Sequence, residues 1–101
     1  MSELVAIVTH TVHAGQMAAA AERIHGNGLR MATRPGFLDR RLLAPTDGAE
    51  RLVTVTRWQS QATYDDWVSH NRDHNPHAGT TAPFDPPNTL LLIDVSVAVT
   101  A

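Results

Sequence analysis

The sequence predicts an α+β domain: a four-stranded antiparallel sheet with two helices on one face, in the order β-α-β-β-α-β. Three observations lead there. Four apolar, β-branched runs alternate with two segments of helical periodicity. Pro45-Thr46-Asp47-Gly48 joins the two middle runs as a tight turn, because Pro presets φ and Gly accepts positive φ. The chain has 101 residues, enough for one domain and too few for two, so a single domain over 1–101 is expected.

The first strand is expected over 4–12, LVAIVTHTV. Val5, Ile7, Thr9 and Thr11 share one face; Leu4, Ala6, Val8, His10 and Val12 share the other. Both faces are largely apolar, which places this strand inside the sheet. The first helix is expected over 16–33, with Met17, Ala20, Ala21, Ile24 and Met31 along one face. Gly26 and Gly28 each cost it up to about 1 kcal/mol relative to Ala, a cost that close packing against the sheet would explain. Arg34-Pro35-Gly36 ends it, since Pro disfavours helical geometry in the residue before it.

A second strand is expected over 37–44 and a third over 51–58, paired through the turn. Ser60 is the expected cap of a second helix over 61–71. Tyr64, Trp67, Val68 and Asn71 are read as its inner face, and Asp65, Asp66 and Arg72 as its outer one. From 75 to 88, Pro76, Pro83, Pro86 and Pro87 exclude regular structure. A loop of this length in so small a domain is often functional. The last strand is expected over 89–99, with Leu91, Ile93, Val95, Val97 and Val99 facing one way. It is longer than one small sheet needs, and its end is expected to reach into a second copy. Asp94 is expected to pair with Arg40, Arg41 or Arg57. The order is the ferredoxin-like, split βαβ pattern. Its helix-free face is apolar, so a homodimer with the sheets face to face is expected.

Composition removes several function classes. Net charge is −2 with only 8 Lys+Arg, so no basic face marks a nucleic-acid partner. Absence of Cys removes disulfides, thiolate nucleophiles, iron–sulfur clusters and sulfur-ligated zinc. No run approaches the roughly 18–20 apolar residues of a membrane span, and the N-terminus lacks signal-peptide features, so a cytoplasmic protein is expected. There is no Gly-rich phosphate loop, Ser-centred elbow or catalytically spaced carboxylate pair.

The stretch 57–77, RWQSQATYDDWVSHNRDHNPH, carries most of the chemistry. Trp58 closes a strand; Tyr64 and Trp67 share a helix face; His70, His74 and His77 follow. Trp67 and His77 lie ten residues apart across a helix end and can line one pocket for a flat aromatic ligand. Trp67 equally suits a core. The three histidines have the spacing of a metal-binding stripe, but Pro76 breaks the helix before the third, and no dedicated metal site is expected. His10 shares a face with Val8; it is either a pocket donor to a substrate oxygen or a buried core His.

Three motifs in order carry a resemblance. Pro35-Gly36-Phe37 opens the second strand, Trp58-x-Ser60 closes the third, and Tyr64 with Trp67 lies in the following helix. Over about 4–99 the chain resembles the antibiotic biosynthesis monooxygenase superfamily of small dimeric α+β barrels, and within it the haem-degrading branch. The resemblance implies three working residues: an Asn on the first strand, a Trp on the second helix and a His that ligates haem iron. Trp67 falls on the Trp position and His77 on the His position. Val8 stands where the Asn is expected, which is a departure.

The resemblance further implies an O2-dependent monooxygenase with no flavin or dedicated metal cofactor, taking a flat conjugated substrate between sheet and second helix. Haem is a candidate as substrate or ligand. Trp67, His77 and His10 are the expected catalytic residues, with His77 on the iron where haem binds. Val8, Trp58, Tyr64 and Phe84 are the expected substrate contacts. Two alternatives stand beside it: a cofactor-independent quinol or polyketide monooxygenase, in which His10 or His77 deprotonates a phenol, and a non-catalytic dimeric module that binds haem or another small ligand.

Overall fold

The computed structural model describes residues 2–95. Its elements are β1 (Leu4–Thr11), α1 (Met17–Met31), β2 (Phe37–Leu43), β3 (Arg51–Trp58), α2 (Gln61–His74) and β4 (Asn88–Ile93). The strands form one antiparallel sheet in the order β2-β3-β1-β4, the ferredoxin-like α+β fold. No helix among the described residues is long and apolar enough to cross a membrane.

Period-2 alternation sorts the sheet into two faces. Leu4, Ala6 and His10 of β1, and Leu52, Thr54, Thr56 and Trp58 of β3, are buried beneath the helices. The core there divides in two. One cluster joins Val12, Ala20, Ile24 and Leu52, with Met17, Ala21 and Phe84 against it. The other joins Leu4, Trp58 and Trp67, with Met31, Phe37 and Tyr64 against it. Val5, Ile7, Val53 and Val55 fall on the opposite, helix-free face. At its edge Arg57 donates to Asp39 (Nε–Oδ2 2.9 Å) and to Glu3 (Nη1–Oε2 3.0 Å).

The sequence motifs interlock at one corner of the sheet. Gly36 has φ +85°, and a Cβ there would collide with the Thr63 side chain, so both backbone and space demand Gly. Its carbonyl oxygen accepts from Gln59 N–H at 2.7 Å. Thr63 also completes a capping box with Ser60, the N-cap of α2. The Phe37 ring meets Trp58 edge-on at 5.6 Å. Pro-Gly-Phe and Trp-x-Ser are therefore two halves of one structural joint.

Three expectations are corrected. α2 extends to His74 rather than Asn71, ending where Asn75 turns extended ahead of Pro76. Val68 is 41% exposed and does not belong to the inner face. The last strand stops at Ile93, opposite Leu4, where β1 itself begins. One further bond, Asp94 N–H to the Glu3 carbonyl at 3.1 Å, closes the ladder. Asp94 and Val95 lie beyond the strand, and the expected continuation over 96–99 falls outside the described residues.

Candidate active site between the helices and the sheet

Trp67 follows from α2's capping: with Ser60 as N-cap, its ring points at the sheet. It is 4% exposed and stacks on Trp58 at 6.4 Å with 22° between planes. Tyr64 meets Trp58 edge-on at 6.3 Å, and burial pushes its hydroxyl pKa up. Above Trp67 lies the Arg30 guanidinium of α1, 5.3 Å from the ring centroid. Its Nη2 donates to Asn27 Oδ1 (2.9 Å) and Asn71 Oδ1 (2.7 Å), clasping α1 to α2 over the aromatic layer.

His10 lies elsewhere on the inner face. It is 6% exposed, contacts the Phe84 ring edge-on at 4.8 Å, and its Nδ1 has no hydrogen-bond partner. Burial lowers its pKa below the ordinary 6.5, the Leu52 backbone opposes this and the Arg40 charge adds to it, so the neutral form is favoured at pH 7. Phe84 is held there by a bridge to Val12, and the neighbouring Asp85 accepts from or pairs with His13 at 2.9 Å. Val8, half-buried, lies opposite Thr54 on β3 and Thr89 on β4.

His77 begins the loop after α2. Its N–H donates to Asn75 Oδ1 at 2.9 Å, and its side chain lines two clefts against α1, of about 550 and 440 Å³, beside Ala19 and Arg23. Arg23 holds the loop through Thr81 O and Thr80 Oγ1, each at 3.2 Å. Slight burial, then Arg23 and Arg30, lower the His77 pKa. His70 and His74 stack at 4.4 Å, with His74 Nδ1 3.0 Å from the His70 carbonyl oxygen. Among the described residues no group of three His, Asp or Glu is arranged to hold a metal ion.

The expected site residues thus fall in three places: Trp58, Tyr64 and Trp67 in one aromatic layer, His10 with Phe84 at the other end of the sheet, and His77 against α1. Arg40 was missed as a site residue by the sequence reading, which treated it only as one of three alternative partners for Asp94. It turns inward from β2, and its Nη1 donates to the Ile24 carbonyl oxygen at 2.6 Å. Burial lowers its pKa to about 10, so it stays charged at neutral pH. The signal was Gly28: a Cβ there would collide with Arg40 Nη1. At Gly26 nothing approaches, so only one of the two helix glycines serves packing.

A family model described as antibiotic biosynthesis monooxygenase matches residues 4–78. No curated protein gives a significant match. Among solved structures, the chain is similar to SnoaB, a cofactor-independent oxygenase from Streptomyces nogalater. Identity is 20% and TM-score 0.78, covering 100% of this chain and 97% of that one. At that identity the likeness concerns the fold alone. The chain is also similar to the heme-degrader MhuD from Mycobacterium tuberculosis, solved with two hemes bound in its active site. There identity is 28% and TM-score 0.73, covering 96% of this chain and 99% of that one. An MhuD variant with two manganese protoporphyrin IX per active site gives 27% and 0.77, covering 97% and 99%.

Proposed function

The chain belongs to the antibiotic biosynthesis monooxygenase family, and on that premise we propose that it is an O2-dependent monooxygenase for a flat conjugated substrate, with haem the leading candidate. The observation that carries the haem reading is the setting of His77. His77 shares two clefts with Arg23, and slight burial, then the Arg23 and Arg30 charges, disfavour the imidazolium and keep a nitrogen lone pair free for iron. The same guanidiniums suit the carboxylates of a tetrapyrrole. Similarity to a heme-degrader over nearly the whole chain supports this reading. Trp67 is covered by Arg30, so in this reading it serves as a pocket wall once a ligand displaces that guanidinium. The apolar layer of Trp58, Tyr64 and Trp67 then excludes water and orients the ring system.

His77→Ala is expected to lose most hemin affinity and to shift the Soret band relative to the unmodified protein. Titration of both proteins with hemin checks it. Identical band position and affinity would remove His77 as the ligand.

A quinol reading is favoured by His10. A buried, neutral imidazole with an unpartnered Nδ1 is suited to accept a phenolic proton. Oxygen uptake with an anthrone-type substrate, absent in His10→Phe, would select it over haem. Hemin binding without turnover, and no oxygen uptake, would select a binding module instead.

The working unit in this proposal is a homodimer. Leu43, Leu90 and Leu92 are exposed and, with Val5, Ile7, Val53 and Val55, fall on the helix-free face. A contiguous apolar face of this kind marks an interface, and obligate interfaces are large and apolar. Light scattering at micromolar concentration is expected to give twice the 11.0 kDa chain mass; the chain mass itself would refute the dimer.

A further inference from the structure

A cleft of about 370 Å³ opens between α1 and β2, a volume within the range of small-molecule sites. It contains none of Val8, His10, Trp58, Tyr64, Trp67, His77 or Phe84. Leu29 of α1, Ala32 just past its end, and Phe37, Leu38 and Leu42 of β2 make it mainly apolar. Arg40 is the permanent cation in its lining, which also includes His25 and, committed to Arg57, the acidic Asp39.

The surroundings of Arg40 are incomplete. Nη1 has the Ile24 carbonyl oxygen, but the Nε–H is shielded from solvent and has no partner. Among the described residues no carboxylate forms an ion pair with Arg40. The neighbouring Asp39 carboxylate is bound to Arg57 on the other side of the sheet. A guanidinium offers five donors and a full charge, and a carbonyl oxygen answers only one donor and no charge. An uncompensated charge among apolar side chains is unfavourable. Gly28 of α1 leaves room for the guanidinium where a Cβ would crowd it. The missing element is an acceptor with negative charge, and the walls around it favour an apolar body.

We propose that this cleft binds a small amphipathic organic anion, a carboxylate on a flat apolar body. The carboxylate accepts from Arg40, and the body lies against Leu29, Ala32, Phe37 and Leu42. Charge-assisted, partly desolvated hydrogen bonds supply the selectivity, and a neutral molecule of the same shape lacks them. The cleft shares none of the residues named for the proposed oxygenase pocket, though Phe37 meets Trp58 edge-on and the Arg40 charge reaches His10, and the proposal does not depend on that reading.

Calorimetric titration with 2-naphthoate, and with 2-naphthylmethanol as its neutral analogue, tests the proposal on the full chain. The carboxylate is expected to bind at least about tenfold tighter than the alcohol, and Arg40→Met to lose at least about tenfold in naphthoate affinity. His77→Ala is expected to bind naphthoate like the unmodified protein. In the unmodified protein, the Arg40 side-chain Nε–H resonance is expected to move on adding naphthoate, a reading that needs no variant to fold. Four results would overturn the proposal: no naphthoate binding at millimolar concentration, equal affinity for the alcohol, an unmoved Nε–H resonance at saturation, or loss of binding in His77→Ala.

Discussion

Trp58→Ala is expected to lose about 3–5 kcal/mol of folding stability, the range for removing a fully buried large aromatic. The ring is 1% exposed and touches both halves of its cluster, with Trp67 stacked on it and Phe37 and Tyr64 meeting it edge-on. It also ends β3 opposite Leu4 and Phe37, so its loss loosens two strand pairs and the seat of α2. Domains of this size hold only about 5–15 kcal/mol in total, so the loss consumes a large share. Each kcal/mol moves Tm by roughly 4–8 °C, which puts the expected drop at about 12–40 °C. Thermal and urea unfolding at one fixed protein concentration measure it, since association with a second copy would also shift Tm. A loss below about 1 kcal/mol would mean that the ring faces space a ligand fills rather than packed side chains. That outcome would return Trp58 to the substrate contacts and remove it from the core.

The same residue shows how far a linear reading reaches. The order of strands and helices was legible because periods of 2 and 3.6 are local, and β3 lies over 51–58 as expected. Pro35-Gly36-Phe37 and Trp58-x-Ser60 were legible as motifs, but their cause was not. Gly36 must be Gly partly because Thr63 approaches it, 27 positions along the chain, and only the fold supplies that contact. Arg40 was unreadable for a related reason. On a strand an Arg is ordinarily solvated, and the inward room and the Ile24 carbonyl that receive it belong to another element. Trp67 and His77 were joined by sequence distance, but Asn75 becomes extended before Pro76 and carries His77 over α1, beside Arg23. The break after Ile93 was not legible because apolar alternation says nothing about where a partner strand runs out. β1 begins at Leu4, and β4 ends opposite it.

Val8→Asn is expected to raise turnover of bound haem with a reductant by on the order of 10²-fold, from a slow or absent rate in the unmodified protein. A placed donor in a dry site is worth about 3 kcal/mol in a barrier, and an isopropyl side chain offers none. The position tolerates the change better than a sealed core site would. Val8 is half-buried, and Thr54 stands directly opposite on β3 with a hydroxyl that can meet the new amide. If that hydroxyl turns away, a buried amide without a partner costs roughly 1–3 kcal/mol of stability, visible as a lower Tm with the fold retained. Absorbance decay of bound hemin, followed beside a hemin titration of the same variant, separates chemistry from affinity. Efficient haem breakdown by the unmodified protein would refute the role given to Val8. A variant that folds, binds hemin as tightly as before and gains no activity would instead move the assignment to His10 and a phenolic substrate, because the site would then lack a use for a donor at this position.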